Sequence, residues 1–358
     1  MKFNINNIGL AHSFKWSRRG KALLLENLEM YISSGLNLHE AILITCRAFS
    51  KKEAAHLQNV KILIEQGQTL SKGFENNINL SPALLGLLEH GESSGNLAQS
   101  LKLARTIIER EEALIKSCMS ALAYPIIIAI FAFVLTLGLM RGVMPQITPL
   151  LKSLHVQLPL ITRIVMYMSE NIGKFSLYIM IFIVVVLPIG IWAYKRLFKF
   201  KLFCHKSIVF TPIVGNLFRQ YDLSLFMRSL GGLLLSGANI SSSYSQVSDK
   251  IFLLPIKIYL NDQTKYVSQG VSLASIFKKL GQIQTYVVPL IQAGEASGTL
   301  GQSLMRVSDI LDRDIENSLK RITTLIEPIM MIGIGVVIGG IALSIMMPIY
   351  DVSRSLQH

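Results

Sequence analysis

Two stretches of this chain repeat each other at an offset of 203 positions. Gly91–Leu101 reads GESSGNLAQSL and Gly294–Leu304 reads GEASGTLGQSL, identical at eight of eleven places. Gln66–Phe74 (QGQTLSKGF) returns as Gln269–Phe277 (QGVSLASIF) at the same offset. Tyr124-Pro125, at the head of a long apolar run, returns as Glu327-Pro328 at the head of another. Ser34-Gly35 returns as Ser236-Gly237, one residue closer. Several markers held at nearly one offset mean a duplicated unit, so the fold has to be one that two copies of a module can build.

The modules are joined to apolar runs too long for ordinary cores. Hydrophobic residues make up 51% of the 358, and mean hydropathy is +0.46. Ser117–Met140, Phe175–Tyr194 and Pro328–Tyr350 carry no charge at all. Each has about the 20 residues a helix needs to cross a ~30 Å hydrocarbon layer. Backbone in lipid must satisfy its own hydrogen bonds, so all three are expected to be helices. Residues 1–21 include Lys2, Lys15, Arg18, Arg19 and Lys21 without an apolar core, so no secretory signal is expected there.

Parity and charge then set an expected topology. If both modules lie on one side, the chain must return once between them, and Phe175–Tyr194 is that return. Lys195, Arg196, Lys199, Lys201 and Lys206 follow it, and Lys320 and Arg321 precede the last run. Basic flanks stay cytoplasmic and meet anionic lipid, which accounts for much of the +13 net charge without nucleic acid. The expected order is an N-terminal segment (1–15), a cytoplasmic helical domain (16–118) and a first span (119–141). A periplasmic loop (142–174), a second span (175–194) and a basic cytoplasmic linker (195–218) come next. A second cytoplasmic helical domain (219–326), a third span (327–350) and a periplasmic tail (351–358) complete it. Arg141, Lys152, Arg163 and Lys174 against Glu170 run counter to an outer location of the loop. Its Pro145, Pro149 and Pro159 predict a short, irregular segment with room for one helix.

The modules read as all-α, five or six helices each. Leu23, Leu24, Leu28, Tyr31 and Ile32 recur at helical spacing, and Ser33-Ser34-Gly35 closes that helix. Leu101, Ala104, Ile108 and Leu114 make a second stripe. Leu304, Val307, Ile310 and Leu311 are its counterpart, with Asp309, Asp312, Arg313 and Asp314 outward.

The GE-x-SG segments are helix–turn–helix corners. Gly91 is expected to end one helix, Ser93-Ser94-Gly95 to turn the chain, and Asn96 to cap the next helix. Glu92 would then sit near the positive end of that next helix, and Gly294, Glu295 and Gly298 would repeat the arrangement. A purely structural turn and a grip on a partner or cation both remain open for Glu92 and Glu295. Gly335, Gly339 and Gly340 give the last run a small-residue face, suited either to self-association or to packing within the chain. A proline is tolerated near a helix's first turn, so Pro125 and Pro328 are expected to mark where each cytoplasmic helix turns into, or kinks at, its membrane span.

Searches for chemistry return nothing. His39-Glu40 does not continue as H-E-x-x-H, and neither G-x-x-x-x-G-K-[ST] nor G-x-S-x-G occurs. Cys46, Cys118 and Cys204 have no metal spacing and read as reduced thiols. No ionisable residue lies deep in a charge-free run, which argues against a carrier or channel. The expectation is no catalytic residue, no cofactor and no metal.

Taken together, these residues resemble a known family, the inner-membrane platform proteins of bacterial type IV pilus assembly and type II secretion. The resemblance runs from about Leu24 to Tyr350. It rests on the Ser34-Gly35 and Ser236-Gly237 corners, both GE-x-SG turns, Ala123-Tyr124-Pro125, Thr211-Pro212-Ile213-Val214-Gly215 and Leu325-Ile326-Glu327-Pro328. It implies two cytoplasmic bundles of about six helices and three spans. It implies as partners a cytoplasmic hexameric assembly ATPase, pilin subunits, other inner-membrane assembly proteins and further copies of the chain. The implied work is coupling nucleotide hydrolysis to pilin extraction, with a pilus system preferred over secretion. The segment SSSYSQVS after Ile240 is more serine-rich than that family suggests, pointing to looser packing or a different partner contact in the second repeat.

Overall fold

The computed structural model describes residues 16–153, 160, 163–164, 166–167, 171, 182, 188, 192–194, 196–211, 214–281 and 283–355. The N-terminal segment 1–15, parts of the expected loop, most of the expected second span and the last three residues of the tail lie outside the described residues. Among the described residues every regular element is helical.

The first repeat forms α1 (Arg18–Ser33), α2 (Leu38–Ala48), α3 (Lys51–Glu65), α4 (Leu70–Asn77), α5 (Pro82–Ser93) and α6 (Leu97–Gly138). A π turn, Leu139–Val143, leads into α7 (Met144–Ser153). After α8 (Phe198–Phe210), the second repeat forms α9 (Val214–Leu235), α10 (Ile240–Ser248), α11 (Leu254–Ser268), α12 (Leu273–Leu280), α13 (Val287–Ala296) and α14 (Leu300–Ser355).

Local chemistry starts these helices. The side chains of Ser17, Asn37, Thr69 and Ser81 accept from the N–H three residues on, and Ser50 with Glu53 forms a capping box over α3. Such caps satisfy N–H groups the helix cannot, for about 1 kcal/mol each. The stripe on α1 differs from the expected one. Leu24, Leu25 and Leu28 are fully buried, whereas Leu23 is 44% exposed.

The chain divides into two compact units, one up to Lys116 together with His205–Ile315, the other Ser117–Cys204 with Glu316–His358. In the first unit both repeats feed one continuous core, including Phe74 and Leu87 from one copy and Phe226, Tyr244 and Phe277 from the other. α5 packs on α9 and α10. A Cβ on Gly86 of α5 would meet Gln246 Oε1 at 2.6 Å. The serine-rich segment is therefore not loose. It is α10, which buries Ser243, Tyr244, Val247 and Ser248 and packs on α5 of the first repeat.

In the second unit, α6 and α14 continue as apolar helices. Windows within Leu97–Pro149 and Leu300–Ser344 are long and apolar enough to cross a membrane, and 6% of each window is buried. Pro125 and Pro328 both sit inside unbroken helices that run from a repeat into its apolar stretch. A proline has no N–H for the carbonyl four residues back, so Pro125 frees Ala121 O. The Thr323 hydroxyl of α14 reaches that carbonyl at 3.5 Å while bonding Leu319 O at 2.9 Å. Pro145 and Pro149 both lie within α7, a helix in the expected loop.

Candidate functional site

The two GE-x-SG corners have the same construction, and it differs from the expected one. Gly91 does not end α5. It lies inside it, against α6, where a Cβ would come within 2.4 Å of Ser100 Cβ. Gly294 of α13 meets Ser303 Cβ of α14 at 2.5 Å in the same way. The glycines let the two arms of each corner close onto a serine that the repeat also duplicates. The helices end at Gly95 and Gly298, with φ of +72° and +69°. A side chain there is strained, and the glycines supply the left-handed residue that stops a helix. Ser94 Oγ donates to His90 O at 2.7 Å and Ser297 Oγ to Ala293 O at 2.8 Å, completing the turn.

The carboxylates reach elsewhere than the next helix. Both Glu92 oxygens accept from Leu70 N, at 3.0 and 2.9 Å, at the first residue of α4. Glu295 accepts from Leu273 N at 2.6 Å, at the first residue of α12, and from Ser272 Oγ at 2.6 Å. Each glutamate thus joins the corner to the start of the helix opened by the other duplicated segment, QG-x-[ST]-L. That co-duplication was the available sign of the contact. Asn96 donates from its side-chain amide to Gln99 and does not cap α6. Burial raises the Glu92 carboxyl above the ordinary range, against the pull of the Leu70 and Ser71 amides.

Two further charged clusters escaped the sequence reading. Asp312, expected outward, is buried. It accepts from Arg228 of α9 and from Ser224 Oγ, while Arg228 also reaches Asp309 at 3.3 Å. Burial raises the Asp312 carboxyl in spite of Arg228. The sign was Arg228 itself, a lone charge in the apolar stretch Leu223–Leu235. The second cluster holds the start of α11. Asp222 accepts from Phe252 N at 3.0 Å and Leu253 N at 2.7 Å, and His205 Nδ1 accepts from Leu254 N at 3.2 Å. Burial pushes the Asp222 carboxyl up to about 6.

The small-residue face of α14 is open. Among the described residues nothing lies within 4 Å of a Cβ placed on Gly335, Gly339 or Gly340. Gly333 borders an apolar groove of about 410 Å³ with Phe133, Thr136 and Val337. Among the described residues no three His, Cys, Asp or Glu are arranged to hold a metal, and the three cysteines are free thiols.

These features define a class: a duplicated, all-helical protein whose two copies share a core and carry apolar helices fit for a bilayer. The chain belongs to the family described as Type II secretion system (T2SS), protein F, whose model matches twice, at residues 24–145 and 226–348. It is similar to the type IV pilus assembly protein PilC of Thermus thermophilus, 26% identical over 348 residues, covering 94% of this chain and 83% of that protein. The PilC of Pseudomonas aeruginosa is 24% identical over 338 residues, covering 93% and 90%. The type II secretion system protein F of Aeromonas hydrophila is 22% identical over 358 residues, covering 96% and 90%. The matched segments coincide with the repeats, so this is the pilus and type II secretion platform family with its duplicated domain, and a membrane protein.

Proposed function

We propose that this chain is the inner-membrane platform of a type IV pilus machine or a type II secretion system, coupling a cytoplasmic hexameric assembly ATPase to the extraction and polymerisation of pilin subunits. The observation that carries this is the double family match, one per repeat, with near full-length similarity to proteins named for pilus assembly and for type II secretion. In this reading each repeat is a six-helix cytoplasmic bundle, the chain crosses the membrane three times, and its N-terminus is cytoplasmic and its C-terminus periplasmic. Other inner-membrane assembly proteins and further copies of the chain complete the machine, the copies meeting through the Gly335, Gly339 and Gly340 face. The role needs no catalytic chemistry from this chain.

Deletion of the gene, together with co-purification of the detergent-solubilised chain with the cognate ATPase, tests the role. Loss of surface fibres or secretion with pilin still in the membrane is the expected result; normal assembly without the protein would refute it. Reporter fusions after Lys116, Lys174 and Ile315 test the topology. Glu92 and Glu295 are read as braces of their corners. Charge reversal at either that leaves the melting temperature unchanged but abolishes assembly would move them to a partner surface instead.

A further inference from the structure

α8 (Phe198–Phe210) carries apolar residues on two opposite sides. One side is committed to the second repeat. His205 is buried there, its Nδ1 accepting from Leu254 N at 3.2 Å, and Ile208 packs on the core. The other side is open. Phe203 and Phe210 are 67% and 85% exposed. At 3.6 residues per turn, their spacing puts them within about 20° of each other, away from His205 and Ile208. Lys199 and Lys206 are exposed as well, each one turn ahead of one of these rings. The outward face is therefore two lysine–phenylalanine pairs in succession, set by the helix itself.

A solvated helix turns polar groups to water, whereas aligned exposed rings mark a surface that something covers. Charge and position identify the cover. Residues 195–221 hold Lys195, Arg196, Lys199, Lys201, Lys206 and Arg219 and no acid, so the face is complementary to a negative surface. The charge-free second apolar run ends at Tyr194, and the non-helical Leu197 separates it from α8. A helix continuing straight out of the bilayer would carry Phe210 roughly 24 Å beyond Tyr194, well past a headgroup layer of about 5–8 Å. A helix lying along the surface keeps both rings at the depth of the upper acyl chains and both lysines beside lipid phosphates, as interfacial helices do.

We propose that α8 lies flat on the cytoplasmic membrane surface as an anionic-lipid-binding helix, with Phe203 and Phe210 inserted below the headgroups and Lys199 and Lys206 on their phosphates. Through His205 and Ile208 the same helix holds the second repeat against the membrane. The proposal rests on the second apolar run entering the bilayer, and not on the platform role.

The test uses the full chain in vesicles of phosphatidylglycerol and phosphatidylcholine, with one or the other lipid brominated in its acyl chains to quench tryptophan on contact. Phe203→Trp and Phe210→Trp are read separately, after subtraction of the emission of the unsubstituted chain. Both are expected to be quenched, and Ile258→Trp, at an exposed position of α11, is not. Unquenched rings would overturn the proposal, whether acrylamide reaches them, as on an open surface, or fails to, as under a second copy or another protein. Quenching at Ile258→Trp equal to that at the rings would overturn it too. Brominated phosphatidylglycerol is expected to quench about fivefold more per mole than brominated phosphatidylcholine, the preference one surface cation confers. Equal quenching by the two lipids would overturn the anionic assignment. Lys199→Gln/Lys206→Gln is expected to abolish that preference, and an unchanged preference would refute the role of these lysines. Trp192, in the second apolar run, is an internal reference, since Trp16 is buried. Quenched Trp192 with unquenched rings defeats this proposal alone, whereas unquenched Trp192 defeats the three-span topology.

Discussion

The two repeats hold the same pair of helices together with opposite polarity. In the first, Arg105 of α6 reaches Glu26 and Glu29 of α1 at 3.0 and 3.9 Å, with Glu109 at 2.8 Å. In the second the cation is on the other helix: Arg228 of α9 reaches Asp309 and Asp312 of α14. Arg228 stands where the first copy has Glu26, by the offset of the Ser-Gly pairs, and Asp312 where it has Glu109. The surroundings differ as well. Arg105 is 28% exposed and Arg228 only 3%. The duplicated geometry requires a tie between these helices, but the residues that make it have been exchanged across the interface and, in one copy, sealed from water.

The start of the third helix shows the same kind of exchange. Ser50 and Glu53 cap α3 from within it, whereas α11 has no such cap and is held from afar by Asp222 and His205. Asp222 corresponds to Gly20, where a Cβ would lie 3.5 Å from Glu53 Oε1. Both copies bring a carboxylate to the same corner, from different helices.

The largest expected effect contrasts the two ties. Arg228→Ala leaves Asp312 buried and uncompensated and is expected to destabilise by about 3–5 kcal/mol, while Arg105→Ala costs about 1 kcal/mol or less. Chemical denaturation of the solubilised chain reads both, and similar losses would show that the burial difference has no energetic consequence. Replacing Arg228 and Asp312 together by Met and Leu is expected to recover most of the larger loss.

The corners are predicted to respond alike. Gly91→Ala and Gly294→Ala each force a methyl into a serine and its helix, for a loss of about 1–3 kcal/mol, seen as a lowered melting temperature. A large loss in one copy alone would mean that only that corner is tightly closed.

A pH series sharpens the comparison at the third helix. Asp222 is raised from 3.8 to about 6, so the folded chain holds this proton more tightly than the unfolded chain. Its contribution to stability is fully present below about 4 and is lost as pH rises through 6. Asp222→Asn is expected to flatten stability between those values relative to wild type. A wild-type slope that persists in Asp222→Asn would assign it to another group.

The smallest effect lies in the core. Among the described residues the Tyr244 hydroxyl is buried without a hydrogen-bond partner, beside Phe226. Tyr244→Phe removes that cost and is expected to raise stability by about 1 kcal/mol. A drop in the melting temperature would reveal a partner for the hydroxyl.

Much of this was readable in one dimension. Helices, corners and the duplication follow from spacing and from Gly95 and Gly298, all of which act within a few residues. The apolar runs were equally plain, because crossing lipid demands length without charge. What failed were contacts across the fold. Glu92 was assigned to the helix beside it, yet it spans 22 positions to Leu70. Asp312 was placed outward because its neighbours in sequence are charged, and only the approach of α9, 84 positions away, buries it.

Sequence alone therefore determined a duplicated helical module, its corner residues and its apolar runs, since each is a local or periodic property of the chain. Tertiary structure decided that the two modules share one core, which carboxylate caps which helix, and which charges are shut away from solvent. Those outcomes depend on where separate helices meet, and spacing along a chain does not encode the distance between faces that pack only after folding.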